Sequence, residues 1–134
     1  MKSLLCVIGW LFVSGMAMSS GITDVTDDIS SAIKAGSSKE LSRYLNYTVT
    51  LTIGDEEDAY SKEQASLILK DFFIKNPPES FSIMHKGASR DGSQYAIGRY
   101  ISGNKAYRTY FLLKKAGDRF LIDALSFELD GSKE

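Results

Sequence analysis

The 134-residue chain contains one cysteine, one tryptophan and one histidine. Cys6 and Trp10 both fall within the first ten residues, so residues 20–134 have neither. Over that stretch a disulfide, a thiolate nucleophile and a thiolate metal site are all excluded. A single histidine, His85, leaves too few ligands for a zinc centre, and no metal is expected. No glycine-rich phosphate loop and no serine–histidine–acid arrangement is visible, so no cofactor is expected either. Strong charge of one sign is also missing. The formal net charge of −1 gives no general pull toward nucleic acid or an anionic membrane.

The first residues, "MKSLLCVIGWLFVSGMAMSSG", start with Lys2, continue in an apolar run from Leu4 to Val13, and end in small residues. That is the order of a secretory signal peptide. The run is shorter than the about 20 residues that a transmembrane helix needs. Small residues permit cleavage after Ala17 or after Ser19, with Ser19 preferred. Residues 1–19 are therefore expected to be a signal peptide and residues 20–134 one exported domain, periplasmic or extracellular, with no transmembrane segment after cleavage. Losing Lys2 takes the net charge to −2, from 15 basic and 17 acidic side chains. An exported domain without disulfides must be held by its core, and about 115 residues can bury enough surface for that.

Periodicity predicts the elements. In "SGITDVTDDISSAIKAG", Ile22, Val25, Ile29 and Ile33 recur at three or four residues, an amphipathic helix with Asp24, Asp27 and Asp28 in its early turns and Gly36 as its stop. "SSKELSRYL" supplies an N-cap serine and a short helix with Leu41, Tyr44 and Leu45 inward. "YTVTLTI" alternates apolar residues with threonines and is the clearest strand. After the turn "GDEED", "AY" adds at most a short strand. "SKEQASLILKDFFIKN" is the main helix, with Ser61 and Gln64 at capping-box spacing and Asn76-Pro77-Pro78 as its end.

From Phe81 onward the period is two, with turns at "SRDGS", "SGNKA" and "AGDR". The fold class expected is α+β: a curved four- to five-stranded antiparallel sheet with three helices on its concave face. Gly92 is expected at positive φ, because a three-residue loop sets Gly87 opposite Tyr95 and His85 opposite Ile97.

The stretches "YSKEQASLILKDFF", "FSIMHKGAS", "YAIGRY" and "YRTYFLLKK" cover most of Tyr60 to Lys115. Together they resemble a family of small secreted proteins, mostly from Bacteroidota, known only as a domain of unknown function. That resemblance implies a cone-shaped fold similar to nuclear transport factor two. It implies no established activity, since the wider superfamily includes isomerases, dehydratases, cyclases, binding modules and dimerisation domains.

His85 and Asp123 are the residues that stand out chemically. Simple alternation puts His85 with Phe81 and Ile83 on an apolar face. There it is either a neutral core histidine held by a tyrosine hydroxyl or backbone carbonyl, or a general acid/base at the wall of the cone. Alternation likewise puts Asp123 with Leu121, Leu125, Phe127 and Leu129, within reach of Arg99 or Arg108. Related cones that act as isomerases use a pocket Asp near tyrosines, and Tyr44, Tyr95, Tyr107 and Tyr110 are available here. No position matches those enzymes' motifs, so no catalytic residue is assigned beyond His85 and Asp123 as weak candidates. The pocket candidates are Tyr44, Phe72, His85, Tyr95, Tyr107 and Asp123.

Weaker signals remain. "DEED" lacks calcium-loop spacing and reads as a solvated turn. Lys86 to Arg119 holds eight Lys or Arg against two Asp, which concentrates positive charge on the sheet. One parity of the central strands groups Tyr95, Ile97, Ile101, Tyr107, Phe111 and Leu113, and the other groups Tyr100, Tyr110 and Leu112. Apolar residues on both faces predict a homodimer through the sheet, with Tyr100, Tyr110 and Leu112 in the contact. The leading functional reading is a non-catalytic envelope module that binds a small apolar ligand or a protein partner. The alternative is a cofactor-free isomerase or lyase using a pocket acid/base pair. A deep cavity joining His85 to Asp123 favours the enzyme. An interior plugged by Phe72, Phe73 and tyrosines favours the module.

Overall fold

The computed structural model describes residues 24–131; the expected signal peptide lies outside the described residues. Helix α1 spans Val25–Lys34 and α2 spans Ser38–Ser42. The strand β1 (Leu45–Ile53) turns into β2 (Glu56–Ser61), which leads into α3 (Lys62–Lys75). Four strands follow: β3 (Ser80–Ala88), β4 (Gln94–Ser102), β5 (Lys105–Ala116) and β6 (Arg119–Leu129).

Each helix begins where side-chain chemistry satisfies its free N–H groups. Asp24 accepts from the Thr26 N–H at 3.0 Å, and Ser37 accepts from the Glu40 N–H at 3.0 Å. Ser61 and Gln64 form the expected capping box at the start of α3.

The sheet has six strands in the order β2-β1-β6-β5-β4-β3, which corrects the expected four to five. Gly54 and Asp55 make the expected turn, but the strand after it is longer than "AY": β2 starts at Glu56 and pairs antiparallel with β1 from Ile53↔Glu56 to Thr48↔Ser61. An edge strand needs no apolar face, and its exposed Glu56, Glu57 and Asp58 discourage pairing with another chain. The sheet is also not wholly antiparallel, because β1 lies parallel to β6.

The hairpin between β3 and β4 has the expected register, with His85 opposite Ile97, Gly87 opposite Tyr95, and Gly92 at φ 92°. A bulge between Ile83 and His85 then inverts the facing on one side of it. Phe81 and Ile83 point inward opposite Tyr100 and Gly98, whereas His85 points outward beside Ile97. His85 is exposed and does not lie on the apolar core face. A second bulge, between Leu112 and Leu113, makes Asp123 the extra residue of β6 and separates it from Leu125 and Phe127, which are buried.

The two-residue turn Gly103-Asn104 joins Ser102 to Lys105, so odd positions of β4 pair with even positions of β5. The expected grouping of apolar residues is thereby corrected. Tyr100, Tyr107, Phe111 and Leu113 lie on the inner face, in the core with Ile29, Ile33, Leu69, Phe72 and Phe127. Tyr95, Ile97, Ile101, Tyr110 and Leu112 form the outer face. All three helices contribute to the inner core, and no described helix covers the outer face.

Candidate functional site

Three places could carry function: the interior between helices and sheet, a cleft at one end, and the outer face. The interior is filled. Phe72 stacks on Phe127 at 4.6 Å between ring centroids, meets Tyr107 edge-on at 5.2 Å, and lies 5.5 Å from Tyr100. Phe73 closes the group, 5.9 Å from Phe72 and 6.2 Å from Tyr100. Asn76, the C-cap of α3, fixes this plug to the sheet. Its backbone carbonyl accepts from the Tyr100 hydroxyl, its Oδ1 accepts from the Tyr107 hydroxyl at 2.8 Å, and its Nδ2 donates to the Phe72 carbonyl at 3.2 Å. Burial pushes both tyrosine hydroxyls above their ordinary pKa, so they stay protonated donors.

No Asp, Glu, His, Lys or Arg is buried among the described residues. Thr109, on the floor beneath the plug, keeps a buried hydroxyl with no hydrogen-bond partner. Such an interior has no group that could move a proton near neutral pH.

The acid–base candidates stand elsewhere and apart. His85 lies on the outer face, its Nε2 3.4 Å from the Tyr95 hydroxyl. The Tyr95 ring lies across Gly87, where a Cβ would come within 2.7 Å of the hydroxyl, so the glycine makes room for the ring. Asp123 pairs loosely with Lys114 at 3.9 Å, not with Arg99 or Arg108; Arg99 instead binds Asp130 at 3.1 Å. Three interstrand spacings separate the strands of His85 and Asp123, about 14 Å at ~4.8 Å per strand. They form no pair.

The cleft lies at the end of the molecule where the β3–β4 and β5–β6 hairpins turn. It has a volume of ≈ 750 Å³ and is shaped by Val25, Tyr44, Lys86, Arg119, Phe120 and their neighbours. Val25, Tyr44 and Phe120 also pack against the core, so its apolar wall is continuous with the interior. On the wall, Lys86 Nζ meets Asp24 Oδ2 at 2.9 Å. That contact lowers the carboxyl pKa of Asp24 and raises the ammonium pKa of Lys86.

Of the pocket residues expected from sequence, Tyr44 and Tyr95 line the cleft. Phe72 and Tyr107 belong to the plug, while His85 and Asp123 lie on or beside the outer face. Tyr100, expected in a dimer contact, is fully buried in the core; Tyr110 and Leu112 are on the outer face as expected. Sequence reasoning missed Asn76 as a structural anchor and Arg119, Phe120 and Lys86 as cleft residues. The run Asn76-Pro77-Pro78 marked the helix end, but not the two hydroxyls waiting on the sheet. Among the described residues, no group of His, Cys, Asp and Glu could hold a metal ion, and no helix is long and apolar enough to cross a membrane.

Comparison with known proteins places this geometry among relatives. A family described as "Domain of unknown function (DUF4783)" matches residues 26–128. A DUF4783 family protein from Bacteroides ovatus is 31% identical, with a TM-score of 0.73, over 77% of this chain and 93% of its own. One from Bacteroides uniformis is 27% identical, with a TM-score of 0.75, over 80% and 98%. An NTF2-like protein of unknown function from Shewanella baltica shares the fold, with a TM-score of 0.62 at 11% identity, over 80% and 89%. No curated protein matches the chain.

Proposed function

The chain belongs to the DUF4783 family of unknown function, and from that premise we propose an exported, non-catalytic envelope module that works by binding. The observation that carries this reading is the aromatic plug. Where an NTF2-like enzyme would need an open cavity with an acid or base, this interior holds Phe72, Phe73, Tyr100, Tyr107 and Phe127 and no buried charged residue. The isomerase or lyase alternative loses its acid–base pair, since His85 and Asp123 share no pocket. Export rests on the Lys2, Leu4–Val13 and small-residue pattern. N-terminal sequencing of the protein from an envelope fraction should return a start near Ser20; a start at Met1 would contradict it.

The outer face is the surface through which the module self-associates. Tyr95 and Ile97 on β4 and Tyr110 and Leu112 on β5 form a half-buried apolar patch that no described helix covers, and the exposed Arg99 and Arg108 separate it from Ile101. Antiparallel sheets with one wet face alternate more sharply than this, and a contiguous apolar patch of this kind marks an association site. A twofold contact between two copies buries it on both. Light scattering over a dilution series should give a dimer mass. Tyr110→Glu, which places a charge within the patch, should weaken the dimer by about tenfold to a hundredfold. A wild-type mass that stays monomeric at high concentration sinks this part of the proposal.

A further inference from the structure

The cleft at the hairpin end is more specific than a generic apolar hollow. Its apolar wall comes from three segments distant in sequence: Val25 from α1, Tyr44 from the link between α2 and β1, and Phe120 from β6. A volume of ≈ 750 Å³ is within the range of small-molecule sites, about 300–1,000 Å³. The charged groups beside it are not equivalent. Lys86 is neutralised by Asp24. Arg119 donates to the Arg43 carbonyl at 3.2 Å, next to Tyr44, and its guanidinium pairs with no carboxylate among the described residues.

The same end carries charges of both signs: Arg90 and Lys115 stand there with Asp91 and Asp118, while Lys114 is engaged by Asp123 and Lys86 by Asp24. The acidic residues Glu56 to Asp58 are on β2, whose turn lies at the opposite end of β6. The charges of the lining balance, Lys86 and Arg119 against Asp24 and Asp118, so the attraction for an anion is local to the Arg119 guanidinium. Asp24 and Asp118 on the wall set a limit to that anion's charge, since each repels a second one.

We propose that the cleft binds a small amphipathic carboxylate, its single negative charge on the Arg119 guanidinium and its apolar body against Val25, Tyr44 and Phe120. A planar guanidinium suits a carboxylate because two N–H groups can reach both oxygens. This inference rests on the reading of the protein as a binding module and names the chemistry of one ligand.

The test is a two-dimensional NMR titration of the ¹⁵N-labelled chain with octanoate, with 1-octanol and inorganic phosphate as controls. Octanoate should give saturable shifts at Val25, Tyr44, Arg119 and Phe120, octanol should bind about tenfold more weakly, and phosphate should leave these signals in place. Arg119→Gln should weaken octanoate about tenfold and leave octanol unchanged, while Arg119→Lys, keeping charge without the fork, should fall between. Unchanged signals from the core strands show that each variant is folded. Equal binding of octanoate and octanol, an unaffected Arg119→Gln, or shifts confined to Tyr110 and Leu112 would each overturn the assignment. The dimer mass is read separately, so failure here is distinguishable from failure of the self-association.

Discussion

Phe72→Ala should destabilise the protein by about 3–5 kcal/mol, the range for a large aromatic truncated in a packed core. The cost belongs near the top of that range because the ring is buried and touches four others. It stacks on Phe127 and contacts Tyr107, Tyr100 and Phe73 at centroid distances from 4.6 to 5.9 Å. Aromatic pairs add about 0.5–1.5 kcal/mol beyond the area they bury, so several are lost together. The surrounding rings are held by α3 and by β4, β5 and β6, and they can collapse only in part. What remains is a cavity lined mainly by aromatic carbon, with the Thr109 hydroxyl at its floor. Such a cavity admits a small aromatic guest, so saturating benzene should raise the midpoint of the variant and leave wild type unmoved. Urea denaturation followed by circular dichroism measures both effects. A loss below about 1 kcal/mol would mean that the interior is loosely filled and leaves room for a catalytic cavity.

The plug was partly legible in the sequence. Phe72 and Phe73 fall on the apolar face of a helix whose capping box can be read directly, and the helix forms where that pattern places it. The hairpin register after Gly92 was legible for the same reason: loop length and a residue free to take positive φ determine it locally. The faces of His85 and Asp123 were not. Each lies at a β-bulge, where one extra residue inverts the alternation, and nothing in "SIMHK" or "LIDAL" marks the insertion. Tyr100 was misassigned by a related mechanism. A turn of two residues rather than three changes which β5 positions share its face, and "SGNKA" is compatible with either. The parallel contact of β1 with β6 and the acidic edge strand β2 depend on partners remote in sequence or on the absence of any. The cleft was illegible because α1, β3, β4, β6 and the link after α2 each contribute only a few residues to it.

Asn76 is the clearest residue that pattern alone overlooked, and Asn76→Leu should cost about 2–4 kcal/mol. Leucine keeps most of the volume but removes two polar atoms that are in use. The first is Nδ2, which with the backbone N–H satisfies the Phe72 carbonyl at the end of α3. The second is Oδ1, the acceptor for the Tyr107 hydroxyl. Tyr107 is buried, so its hydroxyl would be left without a partner, a penalty of about 1–3 kcal/mol on its own. The Tyr100 bond goes to the backbone carbonyl and survives the substitution. Loss of the second tether loosens the end of α3 that carries Phe72. Tyr107→Phe removes the stranded hydroxyl, so the double variant Asn76→Leu/Tyr107→Phe should recover about 1–2 kcal/mol relative to Asn76→Leu alone. Strictly additive losses in that cycle would show that the two side chains do not depend on each other, and that α3 is held to the sheet by ring packing without the Asn76–Tyr107 bond.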